Sequence, residues 1–218
     1  MIVAIDGPSG AGKSTLARML AEMLNLAVLD TGAMYRAATW LVIHHGIDPS
    51  DEQGVTSLIS SADFKIDERV MVNDVDVTDE IRTPLVTSKV SEVSAIPSVR
   101  AELVRRQRQW TEARGGGIVE GRDIGTVVFP DATLKIYLTA DNAVRAARRE
   151  EQDSGQQSAG SVAATAAALA ARDHADSSRS TSPLRAAPDA MHIDSGSGTP
   201  EQLADSVVEE LRRRLKDR

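Results

Sequence analysis

Residues 7–15 read Gly7-Pro8-Ser9-Gly10-Ala11-Gly12-Lys13-Ser14-Thr15 and match the pattern G-x-x-x-x-G-K-[ST]. The apolar residues 2–5 before this stretch predict a buried strand, and residues 14–24 after it predict a helix. In that context backbone N–H groups and the positive end of the helix converge on one anion. A chance match would lack this context, so the stretch is expected to bind the phosphates of a nucleotide.

Each part of the loop has an expected role. The side chain of Lys13 is expected to reach the β- and γ-phosphates of ATP, and the hydroxyl of Ser14 to hold Mg²⁺. Glycines allow backbone angles and a close approach that a Cβ would forbid. The residues predicted to bind ATP are Gly7, Pro8, Ser9, Gly10, Ala11, Gly12, Lys13, Ser14 and Thr15.

Composition limits the classes of function. The 218 residues include no cysteine, which excludes disulfides, thiolate zinc sites and cysteine nucleophiles. The net charge of −7 argues against a protein that coats nucleic acid. The sequence has no apolar run long enough to span a membrane, and it begins directly with a predicted strand. We therefore expect a cytoplasmic protein without a membrane or nucleic-acid partner, and a monomer because no apolar surface stripe is left over.

Alternation of strands and helices predicts the fold. Further strands are expected at residues 27–29, 118–120, 134–138 and 190–194, with helices between them. This order predicts a three-layer α/β fold with a five-stranded, mostly parallel sheet. Between residues 63 and 78 the hydrophobic period changes to two, and Asn73-Asp74 predicts a tight turn. That segment is expected to be a small antiparallel insert.

Arginines follow the predicted strands, at the sheet edge where open parallel sheets bind ligands. Arg36 is expected in the first turn of a helix that starts near Ala33, and Arg122 stands beside Asp123 after the third strand of the main sheet. A cation at a helix start opposes the helix dipole, so we interpret Arg36 as an anion-binding residue. The alternative is a solvated surface arginine.

A mobile lid is predicted near the C-terminal third of the chain. Residues 152–161 are rich in Gly, Ser and Gln, which predicts a flexible hinge. Arg172, Asp176 and Arg179 follow at spacings of four and three and therefore share one helix face. We expect this face to bring arginines onto a substrate. An exposed, flexible arm is the alternative.

The arginines favour phosphoryl transfer to a phosphorylated acceptor over hydrolysis. No apolar strand ends in Asp-Glu or Asp-x-x-Gly, the pattern expected of a hydrolytic nucleotide-binding protein. A kinase must neutralise two anionic substrates, which Mg²⁺, a lysine and several arginines can do. A closing lid also excludes water from the reaction.

Several stretches of the chain resemble bacterial cytidylate kinases, of the nucleoside monophosphate kinase group, and the resemblance runs essentially end to end. The stretches are residues 6–14, 30–36 (Asp30-Thr31-Gly32-Ala33-Met34-Tyr35-Arg36), 91–94 (Ser91-Glu92-Val93-Ser94), 121–130 (beginning Gly121-Arg122-Asp123-Ile124-Gly125-Thr126) and 172–179. The resemblance implies a P-loop kinase fold that phosphorylates CMP and dCMP with ATP and Mg²⁺ in the cytoplasm. It implies a single domain over 1–218, with a core (1–35, 97–150 and 186–218), a monophosphate-binding insert (36–96) and a lid (151–185).

The resemblance also implies residue roles. Arg36 and Arg122 would hold the acceptor phosphate, Arg172 and Asp176 the ribose, and Arg172 and Arg179 would close over the phosphates. Ser91, Arg100 and Asp123 would read cytosine, because a carboxylate accepts from its N4 amine and an arginine donates to O2 and N3. The catalytic set is Lys13, Arg122, Arg172 and Arg179. The substrate-binding set is Thr31, Arg36, Ser91, Arg100, Arg122, Asp123, Arg172, Asp176 and Arg179.

The sequence departs from the family pattern in two places, and two alternative functions stay open. Thr31 stands where many relatives have serine, and Ala175 and Ser177 stand where relatives often have arginines. UMP, AMP or shikimate could replace CMP as the acceptor. A nucleotide-dependent switch protein would be a different class altogether.

Overall fold

The computed structural model describes residues 1–153 and 162–216, and the chain divides into two compact units. The first unit contains residues 1–28 and 116–218, and the second contains residues 29–115. Most of the predicted hinge, residues 154–161, lies outside the described residues. The predicted bounds of core, insert and lid stay predictions.

The helices and strands alternate as the sequence predicts over most of the chain. In chain order they are β1 (Ile2–Asp6), α1 (Lys13–Leu24), β2 (Val28–Asp30), α2 (Thr31–His44), α3 (Glu52–Ser61), β3 (Phe64–Ile66), β4 (Val70–Val72), β5 (Val75–Asp76), α4 (Pro84–Ala95), α5 (Pro97–Ala113), β6 (Gly117–Gly121), β7 (Leu134–Thr139), α6 (Asn142–Asp153), α7 (Val162–Ser178), β8 (Met191–Asp194) and α8 (Pro200–Lys216). Short 3₁₀ and π-helical turns occur at Glu80–Arg82 and Ile124–Val128. None of the helices within residues 1–153 and 162–216 combines the length and the apolar character needed to cross a membrane.

The main sheet has the strand order β2-β6-β1-β7-β8. Strand β1 lies at its centre and pairs in parallel with β6 and β7, and β7 pairs in parallel with β8. Apolar residues of these strands share one core with α1 and α8, which explains their near-continuous apolar sequences. Five strands in this order confirm the predicted α/β fold. Because the strands are parallel, their carboxyl ends meet at the same edge of the sheet. At that edge Asp6 lies in register with both Gly121 and Tyr137.

Local capping signals set the ends of two helices in the first unit. Helix α1 ends at Asn25, which adopts a left-handed conformation with φ of 51°. Helix α8 begins with a reciprocal capping box. The Thr199 N–H donates to Gln202 Oε1 over 3.0 Å, and the Gln202 N–H donates to Thr199 Oγ1 over 3.3 Å.

The second unit contains the predicted antiparallel insert. Strands β3, β4 and β5 form a three-stranded sheet in which each neighbouring pair is antiparallel. Asn73 and Asp74 connect β4 to β5 with φ angles of 48° and 66°. Two successive residues with positive φ match the tight hairpin turn that the sequence predicts.

The predicted start of helix α2 was wrong. The helix begins at Thr31, because the carboxylate of Asp30 accepts a 2.8 Å hydrogen bond from the N–H of Ala33 and caps it. Arg36 therefore lies in the second turn of the helix and not in the first. Its position no longer opposes the helix dipole, so that part of the argument for Arg36 as an anion-binding residue falls away.

Candidate functional site

The glycine-rich loop of the first unit has the backbone geometry of a phosphate-binding loop. Gly10 and Gly12 adopt φ angles of 76° and 91°, which L-residues with a Cβ rarely adopt. At Gly7 a Cβ would lie 2.0 Å from the backbone oxygen of Leu138 in β7. Gly7 also has a positive φ, of 151°, so the loop needs glycine for conformation at all three positions and for space at Gly7 as well.

Lys13 is folded back over the loop that it follows. Its ammonium donates to the backbone oxygens of Gly7 over 2.8 Å and Pro8 over 2.7 Å, and the residue is 8% exposed. Two backbone carbonyl oxygens thus hold the buried ammonium at the N-terminus of α1. A helix N-terminus is also a favourable place for a phosphate group to bind.

Ser14 is paired with a carboxylate to which the sequence analysis gave no role. Ser14 is an exposed residue, and its hydroxyl donates to Glu120 Oε2 over 3.0 Å. Glu120 is 4% exposed and lies near the carboxyl end of β6. Glu120 matches neither Asp-Glu nor Asp-x-x-Gly, but its position at the end of the apolar run Ile118-Val119 is a signal that could have identified it. A hydroxyl beside a carboxylate supplies the oxygen ligands that Mg²⁺ prefers, so these residues fit the predicted cation.

Arg122 connects the loop to helix α7. Its guanidinium donates to Asp176 Oδ2 over 2.9 Å and to the backbone oxygen of Gly7 over 3.1 Å. Asp176, which is 6% exposed, also faces Arg179 Nη2 at 3.5 Å. The structure thus brings together three residues predicted to bind substrate, Arg122, Asp176 and Arg179, within the first unit.

A second connection between α7 and the loop was not predicted. The carboxylate of Asp173 accepts from the N–H of Ser9 over 3.2 Å and from Arg145, which also donates to the backbone oxygen of Ser9 over 2.9 Å. Asp173 belongs to the stretch 172–179 of the predicted lid, and Arg145 lies on α6. Their contacts show that helix α7 lies against the phosphate loop.

The predicted acceptor residues of the second unit lie on α2, α4 and α5. Arg36 donates to Asp30 Oδ2 over 3.1 Å, so its guanidinium is held near the start of α2. Arg100 is 4% exposed and donates to the backbone oxygen of Ser94 over 3.2 Å. Its guanidinium carbon lies 5.2 Å from the centre of the Tyr35 ring, within cation–π distance.

A sequence model of the family described as cytidylate kinase matches residues 3–213. The chain belongs to the cytidylate kinase family. This confirms the resemblance inferred from the motifs, including the phosphate loop and the stretch around Arg122 and Asp123.

Relatives in the cytidylate kinase family differ in length. A cytidylate kinase of Mycobacterium leprae (strain Br4923) is 45% identical over 215 residues, which cover 98% of this chain and 96% of the relative. A bifunctional pantoate ligase/cytidylate kinase of Synechocystis sp. is 46% identical over 216 residues, covering 95% of this chain. The chain spans only 42% of the length of that bifunctional protein.

A solved structure supports the fold assigned to this cytidylate kinase family member. A gluconokinase from Sinorhizobium meliloti 1021 matches with a TM-score of 0.52 and 12% sequence identity, covering 99% of this chain and 94% of the gluconokinase. At that identity the likeness concerns the fold alone, and it agrees with the predicted P-loop kinase architecture.

The remaining predicted site residues lie on α2, α4 and α7 and directly before the π-helical turn. Thr31 is buried at the first position of α2, and Ser91 is half-buried on α4. Asp123 is 4% exposed directly before the π-helical turn, and Arg172 is half-buried on α7. Their roles in binding substrate stay predictions.

Proposed function

We propose that the chain transfers the γ-phosphoryl group of ATP to CMP or dCMP, giving ADP and CDP or dCDP. The observation that carries this proposal is the position of Arg122. One guanidinium contacts both the Gly7 carbonyl of the phosphate loop and Asp176 of α7. A cation held there can neutralise the charge that spreads over the phosphoryl group during its transfer.

The first unit is proposed to bind ATP and to stabilise the moving phosphoryl group. Loop amides and the Lys13 ammonium would bind the β- and γ-phosphates, with Arg122, Arg172 and Arg179 as further cations. Ser14 would hold Mg²⁺, which on binding neutralises charge on the same phosphates. Glu120 would orient the Ser14 hydroxyl through their 3.0 Å hydrogen bond.

The roles proposed for CMP recognition are those that the family resemblance implies. Arg36 and Arg122 would bind the phosphate, and Arg172 and Asp176 the ribose. Ser91, Arg100 and Asp123 would bind cytosine, and Thr31 would supply a hydroxyl to the substrate. An amine-accepting carboxylate and a donating arginine fit cytosine better than uracil, which carries an oxygen in place of the N4 amine.

ATP, CMP or dCMP and Mg²⁺ are thus the proposed small-molecule partners of the chain. The monomeric state and the cytoplasmic location remain expectations from the sequence.

A panel of acceptors tests the proposed reaction. ADP release from MgATP is measured in a coupled assay with CMP, dCMP, UMP, AMP and shikimate, and with no acceptor as the control. We expect the highest kcat/KM with CMP and dCMP, because Asp123 and Arg100 are matched to cytosine. ADP release that does not depend on an acceptor would identify an ATPase and contradict the proposal.

Replacement of Glu120 by Gln tests the proposed metal site. The amide keeps an acceptor for the Ser14 hydroxyl but removes the negative charge beside it. We expect the free Mg²⁺ concentration for half-maximal activity to rise about tenfold. Mn²⁺ binding to the protein–ATP complex, measured by electron paramagnetic resonance, should weaken in parallel.

The matched control is Glu201→Gln, which removes an exposed carboxylate from the first turn of α8. The Mg²⁺ dependence of this variant should equal that of the wild type. An unchanged Mg²⁺ and Mn²⁺ dependence in Glu120→Gln would remove Glu120 from the metal site.

A further inference from the structure

Asp6 is a buried carboxylate to which the proposed reaction gives no role. It is the last residue of the central strand β1, and it is 3% exposed. A charged group so far from water is costly unless it is hydrogen-bonded. Its partners therefore indicate what the fold uses it for.

Both carboxylate oxygens of Asp6 accept hydrogen bonds from one distant turn. Oδ1 accepts from the N–H of Ile124 and Oδ2 from the N–H of Gly125, each over 2.7 Å. These two residues begin the π-helical turn Ile124–Val128. The first N–H groups of a helical turn have no partner within it, so Asp6 caps the turn from another strand.

This cap replaces one that Asp123 would ordinarily supply. Asp123 precedes the turn at the N-cap position, where an aspartate usually accepts from the amides that follow it. Here the side chain of Asp123 makes no capping hydrogen bond. Asp6, and not Asp123, is therefore the carboxylate that accepts from the first two amides of this turn.

Asp6 also contacts the chain on the N-terminal side of the dipeptide Arg122-Asp123. Its backbone is in register with Gly121, the last residue of β6, which directly precedes Arg122. Arg122 and Asp123 are therefore held between strand pairing to the backbone of Asp6 and hydrogen bonds to its side chain. Within the described residues, this one side chain caps the turn that follows two proposed substrate-binding residues.

We propose that Asp6 is a positioning residue that fixes Arg122 and Asp123 for the acceptor by capping the Ile124–Val128 turn. The inference rests on the proposed function, which supplies CMP or dCMP as the acceptor. Asp6 is not among the residues proposed to bind either nucleotide. Asp6 acts through the turn, so its loss should affect CMP more than ATP.

The charge of Asp6 can be followed directly. The pKa of its carboxyl is raised from 3.8 to about 6, mainly because burial disfavours the charged form. The negative charge of Asp123 also raises this pKa, whereas hydrogen bonds from the Gly125 and Ile124 N–H groups and the charge of Lys13 lower it. The charge of Asp6 in turn contributes to the raised pKa of Tyr137, which lies in register on β7. The ionised form accepts from both amides, so the cap should weaken as pH falls through about 6.

Replacement of Asp6 by Asn tests the proposal, because the amide group leaves only one acceptor for two N–H donors. We expect kcat/KM for CMP to fall about 10- to 100-fold, with a raised KM, because a small displacement of reacting groups is costly. The dissociation constant for ATP should stay within about threefold of the wild type. A purely structural defect would lower kcat and the unfolding temperature without changing KM for CMP selectively.

The control variant is Asp51→Asn. Asp51 is an exposed aspartate that caps α3 through a 2.9 Å hydrogen bond from the Gly54 N–H, and α3 carries no proposed site residue. It should leave kcat and both KM values at wild-type levels. This variant controls for the general effect of removing a capping charge.

NMR supplies a readout that does not depend on activity. In the wild-type protein the chemical shifts of the Ile124 and Gly125 amide protons should change together with pH, with a midpoint near 6, as the Asp6 carboxyl titrates. That titration should disappear in Asp6→Asn. If Asp6→Asn does not fold, the wild-type titration and the Asp6→Glu variant, which displaces the charge by one methylene, decide the question.

The outcomes separate this inference from the proposed function. A wild-type chain that does not phosphorylate CMP contradicts the proposed function, and the NMR titration then still tests the cap. An active wild type whose Asp6 variants alter CMP and ATP parameters equally, or alter neither, overturns the positioning role. Amides that do not titrate together overturn the cap itself.

Discussion

Lys13→Met is expected to lower kcat/KM for CMP phosphorylation about 100- to 1000-fold, the usual effect of removing one donor aimed at charge that develops in a transition state. Lys13 is 8% exposed, and its ammonium donates to the backbone oxygens of Gly7 and Pro8. It is therefore oriented before ATP binds, so little reorganisation is needed during transfer. A coupled ADP assay with saturating Mg²⁺ measures the effect.

Methionine is a suitable replacement because it keeps most of the apolar stem of lysine and removes only the charge. The control is Lys216→Met, at the exposed end of α8, which should retain wild-type kinetics. Circular dichroism and the unfolding temperature establish that the variants are folded. A folded Lys13→Met protein with near wild-type kcat/KM would contradict phosphate binding by this loop.

Arg122→Met is expected to have the second large effect. It removes a guanidinium that contacts both Asp176 and the Gly7 carbonyl, leaving the largely buried Asp176 with Arg179 as its remaining identified ion-pair partner. We expect kcat/KM for CMP to fall about 100- to 1000-fold, since a cation next to the moving phosphoryl group is lost. The dissociation constant for ATP should change far less, because loop amides and Lys13 remain.

Arg122→Lys separates the contribution of the charge from that of the guanidinium geometry. Lysine keeps the charge but cannot reproduce the planar fork that reaches two acceptors at once, so its activity should lie between those of the wild type and Arg122→Met. Arg212→Met removes an exposed arginine of α8 and serves as the control. Equal losses in ATP and CMP binding for Arg122→Met would show that Arg122 mainly supports the loop.

Features that depend on neighbouring residues could be predicted from the sequence. The phosphate loop, the Asn73-Asp74 turn and the Thr199–Gln202 capping box all follow from short-range geometry, and the structure contains each of them. The predicted start of α2 was two residues late because Asp30 both ends strand β2 and caps the helix that follows it. Here two local signals overlapped on one residue.

Contacts between charged residues far apart in sequence could not be predicted in this way. Ser14 and Glu120 are separated by 106 residues, and Asp6 and Ile124 by 118. The bond between Ser9 and Asp173 spans 164 residues. The sequence can mark a single candidate, such as Glu120 at the end of an apolar strand, but many carboxylates in the chain could have met each hydroxyl or amide, so the pairs themselves could not be chosen.

By itself the sequence determined a parallel α/β kinase fold with a phosphate loop, because hydrophobic period, glycine placement and capping act over a few residues. Only the tertiary structure decided that Glu120 meets Ser14, that Asp6 caps the turn after Asp123, and that Asp176 joins Arg122 to Arg179. The reason is strand order: β1, β6 and β7 become neighbours in the sheet although long segments separate them along the chain. Parallel pairing then places the ends of these strands, and the charges they carry, at one edge.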